Sequence, residues 1–109
     1  MLFELETLDN FKRESKRLIK KFPSLRKEIE ELGFSLIENP YLGSPMRDGF
    51  YKIRLKIASK NKGKRGGGRI ITCIKVEKEK VFLVSIYDKS EQSDISESEL
   101  DRLLKEIPE

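Results

Sequence analysis

The spacing of apolar residues predicts two amphipathic helices in the first half of the chain. The first helix is predicted from apolar side chains at near-helical intervals: Leu8, Phe11, Leu18, Ile19 and Phe22. Asp9 or Asn10 is expected to cap it. A second helix is expected to begin near Pro23, which suits a first turn, and to end at Asn39-Pro40. Its apolar face consists of Leu25, Ile29, Leu32 and Leu36. The two helices together should form a hairpin with one apolar face.

Four segments have the residue pattern of strands. Leu2–Glu6 alternates apolar and acidic residues, which predicts a short edge strand. Phe50–Ala58 alternates strictly, so that one face carries Tyr51, Ile53, Leu55 and Ile57. Arg69–Glu77 is rich in β-branched residues, and Val81–Tyr87 is apolar on both faces, as expected of a central strand.

The closing helix has the clearest end signals in the chain. Ser96 and Glu99 have the spacing of a capping box, and Ile95 and Leu100 that of a hydrophobic staple. The apolar stripe of this helix is Leu100, Leu103, Leu104 and Ile107. The remaining segments are predicted to be loops or turns: residues 41–49, Ser59–Gly68 and Lys78–Lys80.

The predicted order is therefore β-α-α-β-β-β-α, which is an α+β fold. Three consecutive strands joined by short connections favour an antiparallel meander, with the helical hairpin packed on one face and a C-terminal helix. With 109 residues, the chain is long enough for a single domain, residues 1–109, with one modest core.

The composition argues against a disulfide-bonded, secreted or membrane protein. Cys73 is the single cysteine, so an internal disulfide is excluded and a packed core position is expected. No apolar run is long enough for a membrane span, and the N-terminus lacks the pattern of a signal peptide. We therefore expect a cytoplasmic protein without a membrane partner.

The formal net charge of +4 is unevenly distributed. Residues 50–75 contain nine basic and no acidic side chains, whereas residues 88–109 contain eight acidic and three basic ones. Lys52, Arg54 and Lys56 lie in a row on the face opposite the core, with no acid nearby in sequence. A solvated sheet face is the ordinary explanation, but a bound phosphate backbone would relieve their repulsion. Four cations of the following loop strengthen the nucleic-acid interpretation: Lys60, Lys62, Lys64 and Arg65.

Several familiar kinds of site are excluded by the residues present. The glycines at 66–68 do not form a phosphate loop, because the lysine and the following helix are missing. The chain has no histidine, which excludes Ser-His-Asp, Cys-His and histidine–metal schemes. No Asp/Glu cluster suggests a metal site, so we expect neither a metal nor another cofactor. Acid–base chemistry would have to use lysine, tyrosine or carboxylates.

The chain resembles the RelE/ParE superfamily of type II toxins, and most of all the RelE/HigB branch of that superfamily. Three stretches carry the resemblance, in the same order along the chain: Tyr51–Lys56, Gly67–Ile71 and Val84–Glu91. The resemblance covers nearly the whole chain and implies a microbial-ribonuclease-like fold. It also implies a toxin that enters the ribosomal A site, cleaves mRNA, and is silenced by a HigA- or RelB-like antitoxin. No small-molecule cofactor is implied.

The resemblance also implies a set of catalytic residues, by position: Lys52, Arg54, Lys56, Arg69, Tyr87 and Lys89. Metal-independent RNA cleavage needs a base for the 2′-OH, stabilisation of the phosphate charge, and an acid for the leaving 5′-oxygen. We hypothesise that Lys56 or Lys52 is the base, Arg69 and Arg54 are the stabilisers, and Tyr87 or Lys89 is the acid. The expected ends are a 2′,3′-cyclic phosphate and a 5′-hydroxyl.

Two observations leave alternatives open. The C-terminal tyrosine that some RelE members use would fall near Ile95, so the acid–base assignment is not fixed. Tyr87 also suits a tyrosine at the rim of the core. The alternatives in function are a ParE-like gyrase inhibitor, a non-catalytic RNA-binding module, and a protein whose basic strand pairs with an acidic partner.

Overall fold

The computed structural model describes residues 2–60 and 66–109. Its helices and strands follow the predicted order, with one additional short strand. In chain order they are β1 (Glu4–Thr7), α1 (Asp9–Lys21), α2 (Leu25–Glu38), β2 (Ser44–Pro45), β3 (Phe50–Leu55), β4 (Gly68–Lys75), β5 (Lys80–Asp88) and α3 (Glu97–Glu106). None of the helices described is long and apolar enough to cross a membrane.

The strands form one sheet in the order β1-β5-β4-β3-β2. The antiparallel meander of β3, β4 and β5 is confirmed. β1 pairs in parallel with β5, because the helical hairpin carries the chain back before the meander begins. The prediction of a loop for residues 41–49 was incomplete, since Ser44 and Pro45 pair with Lys52 and Tyr51 as the edge strand β2.

Apolar side chains are buried on both faces of the sheet. One face packs against α1 and α2 through residues such as Leu18, Leu36 and Ile70. The other face, which carries the cations of β3, is partly covered by α3, and its core includes Phe50, Phe82, Cys73, Leu100 and Leu103. Cys73 is a packed core residue, as predicted, and burial raises the pKa of its thiol to about 11.

The two predicted side-chain N-caps have different outcomes. The N-cap of α1 is Leu8, which makes no side-chain cap, so the prediction of Asp9 or Asn10 was wrong. Asn10 is instead buried, and its amide donates to the Val84 carbonyl at 3.0 Å, just beyond the last residue of β5 that pairs with β1. The cap of α3 is confirmed, because the Ser96 hydroxyl accepts from the Glu99 N–H at 3.1 Å.

A β-bulge in β5 changes which side chains face α3. Ile71 pairs with Ser85, but Thr72 pairs with Leu83, so Val84 is an extra residue in β5. Val84 and Tyr87 consequently lie in the same cluster, on the α3 face. Without the bulge, strict alternation would place them on opposite faces.

Candidate active site

Three of the predicted site residues lie side by side across the meander. Arg54 of β3 pairs with Arg69 of β4, and Arg69 pairs with Tyr87 of β5. Directly opposed residues of antiparallel strands point to the same face, with Cα atoms about 4.5–5.5 Å apart. We call these three residues the central row. Two guanidinium groups and one phenol are therefore presented together on the face that α3 partly covers.

Arg69 is the most deeply held cation of the central row. It is 5% exposed, and its Nη1 donates to the Gly68 carbonyl at 2.9 Å. The adjacent Gly67 permits the close approach of β4 to β3, because a Cβ there would lie 2.2 Å from the Leu55 carbonyl oxygen. The glycines before Arg69 thus have a packing role at the start of β4.

Tyr87 is buried, with 4% of its surface exposed, and its hydroxyl donates to Asp94 Oδ1 at 3.4 Å. The pKa of this phenol is raised to about 12, first by burial and then by the negative charge and hydrogen bond of Asp94, while Arg69 acts in the opposite direction. A phenol with this pKa is protonated at neutral pH. Tyr87 can therefore serve as a proton donor but not as a base.

Asp94 is a site residue that sequence reasoning missed. Lys52 Nζ donates to Asp94 Oδ1 at 3.0 Å, so an acid that is distant in sequence pairs with one of the cations of β3. This hydrogen bond, followed by one from the Ile95 N–H, lowers the pKa of the Asp94 carboxyl. The contact joins residues 42 positions apart, and no local pattern in the sequence indicates it.

Lys56 and Lys89 lie at the margin of the central row. Lys56 is exposed just after β3. Lys89 is half-buried, and its Nζ donates to the Ser93 carbonyl at 2.5 Å. The structure therefore brings both lysines close to the row without placing them in it.

The predicted RNA-binding cations of the β3–β4 loop divide into two groups. Lys62, Lys64 and Arg65 lie outside the described residues. Lys60 is described, and its side chain is only 7% exposed because its ammonium group pairs with the buried carboxylate of Asp88. It also donates to Ser90 Oγ at 3.0 Å. The ammonium group of Lys60 is thus held in a buried ion pair, away from the central row.

Two comparisons place the chain among known proteins. The family model described as RelE toxin of the RelE/RelB toxin-antitoxin system matches residues 7–107. Among solved structures, a double arginine-to-alanine mutant of the Escherichia coli toxin RelE, in the free state, matches with a TM-score of 0.62. The two sequences are 19% identical, and the match covers 99% of this chain and 100% of the other. The structural match confirms the predicted fold.

Proposed function

The chain belongs to the RelE toxin family, and from this membership we propose that it is a ribosome-dependent mRNA endoribonuclease that needs no metal. In this proposal it enters the ribosomal A site and blocks translation by cutting the message. A co-expressed antitoxin of the RelB or HigA type holds it inactive.

The observation that carries the proposal is the central row of Arg54, Arg69 and Tyr87. The transition state of RNA cleavage is a phosphorane with more negative charge than the ground-state phosphodiester. Two neighbouring guanidinium groups supply fixed positive charge and several N–H donors for those oxygens. Burial of Arg69 strengthens this interaction, because the local dielectric is lower than in water.

The proton transfers are assigned to groups on either side of the two arginines. Tyr87 is the acid, since its phenol is protonated at neutral pH. Lys52 is held in an ion pair with Asp94, whereas Lys56 has no ion pair within residues 2–60 and 66–109. We therefore assign the base role to Lys56, and Lys89 remains a second candidate for phosphate contact.

The reaction follows from these roles. Lys56, in its neutral amine form, takes the proton of the 2′-OH and becomes an ammonium group, and the 2′-oxygen forms a bond to phosphorus while the bond to the 5′-oxygen breaks. Tyr87 gives its proton to that leaving oxygen. The products are a 2′,3′-cyclic phosphate and a 5′-hydroxyl, with no water consumed.

The test is cleavage of a defined mRNA in a purified translation system, with the ends mapped by primer extension. Arg54→Ala and Arg69→Ala should each slow cleavage by about 10²–10³-fold, the usual loss for one transition-state donor. Arg54 is exposed, so its variant should fold even if the buried Arg69 variant does not. The matched control is Arg26→Ala, an exposed arginine of α2, which should cleave like the wild type.

The outcomes separate the proposed function from its alternatives. Discrete cuts on translating ribosomes, lost in the Arg54 variant and kept in the control, would support the nuclease. The new 5′ ends should accept phosphate from polynucleotide kinase without phosphatase treatment. Intact mRNA with inhibition of gyrase supercoiling would instead support a gyrase inhibitor. Salt-dependent RNA binding without cleavage would support a non-catalytic module.

A further inference from the structure

Asp94 occupies an unusual place, because one of its carboxylate oxygens contacts two candidate site residues at once. Its Oδ1 accepts from Lys52 Nζ at 3.0 Å and from the Tyr87 hydroxyl at 3.4 Å. The same oxygen also accepts from the Ile95 N–H at 2.8 Å. The Asp94 side chain is 61% exposed, so its carboxylate lies at the surface of the protein.

The backbone around Asp94 holds the carboxylate in this place. Gln92 donates from its side chain to the Asp94 carbonyl at 2.9 Å, and Lys89 donates to the preceding Ser93 carbonyl. On the other side Ile95 is 7% exposed and packs in the core beneath α3. The carboxylate is therefore presented by the start of α3 and by the segment that follows β5.

We propose that Asp94 is a positioning residue, which fixes the Tyr87 hydroxyl and the Lys52 ammonium group at the central row. This inference rests on the proposed nuclease function for its effect on cleavage. The physical reason is that a carboxylate beside a phenol disfavours the phenolate and accepts the hydrogen bond that orients the hydroxyl. The same negative charge balances Lys52.

The charged groups around Tyr87 have opposite effects on the pKa of its phenol, so the effect of Asp94 can be measured separately. Arg69 faces the phenol from β4, Arg54 and Lys52 lie on β3, and Lys89 follows β5. Arg69 favours the phenolate, and Asp94 is the acid in contact with the hydroxyl in the described residues. The raised pKa of Tyr87 agrees with this arrangement, after the contribution of burial. Removal of the Asp94 charge alone should lower that pKa.

The substitution that tests the proposal is Asp94→Asn. The asparagine oxygen can still accept from the Ile95 N–H and the Tyr87 hydroxyl, so the fold is retained while the charge is lost. The first readout is a spectroscopic pH titration of phenolate absorbance, with the Tyr87→Phe variant subtracted to remove Tyr41 and Tyr51. The Tyr87 pKa should fall toward the ordinary value of about 10, but stay above it because burial persists.

The second readout is the rate of mRNA cleavage on programmed ribosomes. The single-turnover rate constant should fall about tenfold or more, because a neutral amide oxygen holds the Tyr87 hydroxyl and the Lys52 ammonium group less firmly than a carboxylate does. This loss is part of the roughly 10²–10⁴-fold that a positioned acid contributes. The ribosome concentration for half-maximal rate should not rise, because a negative charge has been removed from an RNA site. The control is Asp9→Asn, an exposed aspartate in the first turn of α1, which should change neither readout.

The two readouts separate the possible failures. An unchanged Tyr87 pKa in the Asp94→Asn protein would overturn the proposal, whatever happens to cleavage. A lowered pKa with an unchanged cleavage rate would overturn the positioning role in catalysis. A wild-type protein that does not cleave mRNA at all, with the pKa lowered as expected, would refute the nuclease function while supporting the coupling of Asp94 to Tyr87.

Discussion

Replacement of Lys60 by methionine tests whether this cation supports the fold or contacts RNA. Its ammonium group pairs with Asp88, whose side chain is 2% exposed, and lies 5.5 Å from the centre of the Phe22 ring. Methionine keeps the length and the apolar stem but removes the charge. The change leaves a buried carboxylate without its principal partner.

The expected loss of stability can be worked out from the contacts that remain. Removing one partner of a buried ion pair costs about 3–5 kcal/mol. Asp88 would keep the Ser90 N–H at 3.0 Å and Lys21 Nζ at 3.8 Å, so we expect the lower end, about 3 kcal/mol. With a urea m-value of about 1–3 kcal/mol/M, the unfolding midpoint should fall by about 1–3 M.

The pH dependence of this difference has a definite sign. Burial alone would raise the pKa of the Asp88 carboxyl, but hydrogen bonds from Lys60 and Ser90 outweigh it and lower the pKa below 3.8. The folded form therefore holds this proton less tightly than the unfolded chain does. The stability that Lys60 and Asp88 provide is present at neutral pH and is lost as the pH falls below about 4. The wild type and Lys60→Met should converge in acid.

The assay is urea unfolding followed by circular dichroism at neutral and acid pH, beside RNA binding at several salt concentrations. The double variant Lys60→Met with Asp88→Asn removes both charges and should recover part of the lost stability. A Lys60→Met protein within about 0.5 kcal/mol of wild type, but with weaker RNA binding, would refute this reasoning. That result would restore the RNA-contact role predicted from the sequence.

Two further predictions concern the local structure on either side of the site. Gly67→Ala should destabilise the protein by about 1–3 kcal/mol, because the new Cβ would lie 2.2 Å from the Leu55 carbonyl oxygen; unchanged urea unfolding would show that β3 and β4 can move apart there. Ser96→Ala should cost about 1 kcal/mol by removing the cap of α3. Ser96→Asp should unfold like the wild type, since aspartate is an equally good N-cap, and equal losses in both variants would exclude the capping explanation.

The sequence predicted those helices and strands in which buried apolar residues recur at a regular interval. The apolar residues of α1 and α2 recur at helical spacing, and those of β3 alternate. The spacing within each of these elements therefore shows which of its faces is buried. The capping box at Ser96 is likewise local, because its two partners are three residues apart. The row of cations on β3 was predicted by the same alternation.

The features that were missed depend on contacts between distant parts of the chain. The bulge at Val84 reverses the alternation of β5, and only the pairing with β4 reveals it. A strict period of two from Phe82 would have placed Tyr87 against the helical hairpin instead of beside Arg69. Lys60 was grouped with the loop cations because it is basic and follows β3, whereas its partner Asp88 is 28 residues away.

The acidic C-terminal segment illustrates why charge totals say little about the site. Its carboxylates form ion pairs with cations of other elements: Asp88 with Lys60, Glu91 with Arg17 and Lys21, Asp94 with Lys52, and Asp101 with Arg47. The exposed pairs contribute little individually, but together they fasten the segment after β5 to α1, β3 and the loop before β3. Arg54 and Lys56 have no ion pair within the part of the chain that the structure describes. The segment therefore pairs with Lys52 beside the central row and with cations elsewhere in the fold, but with neither Arg54 nor Lys56.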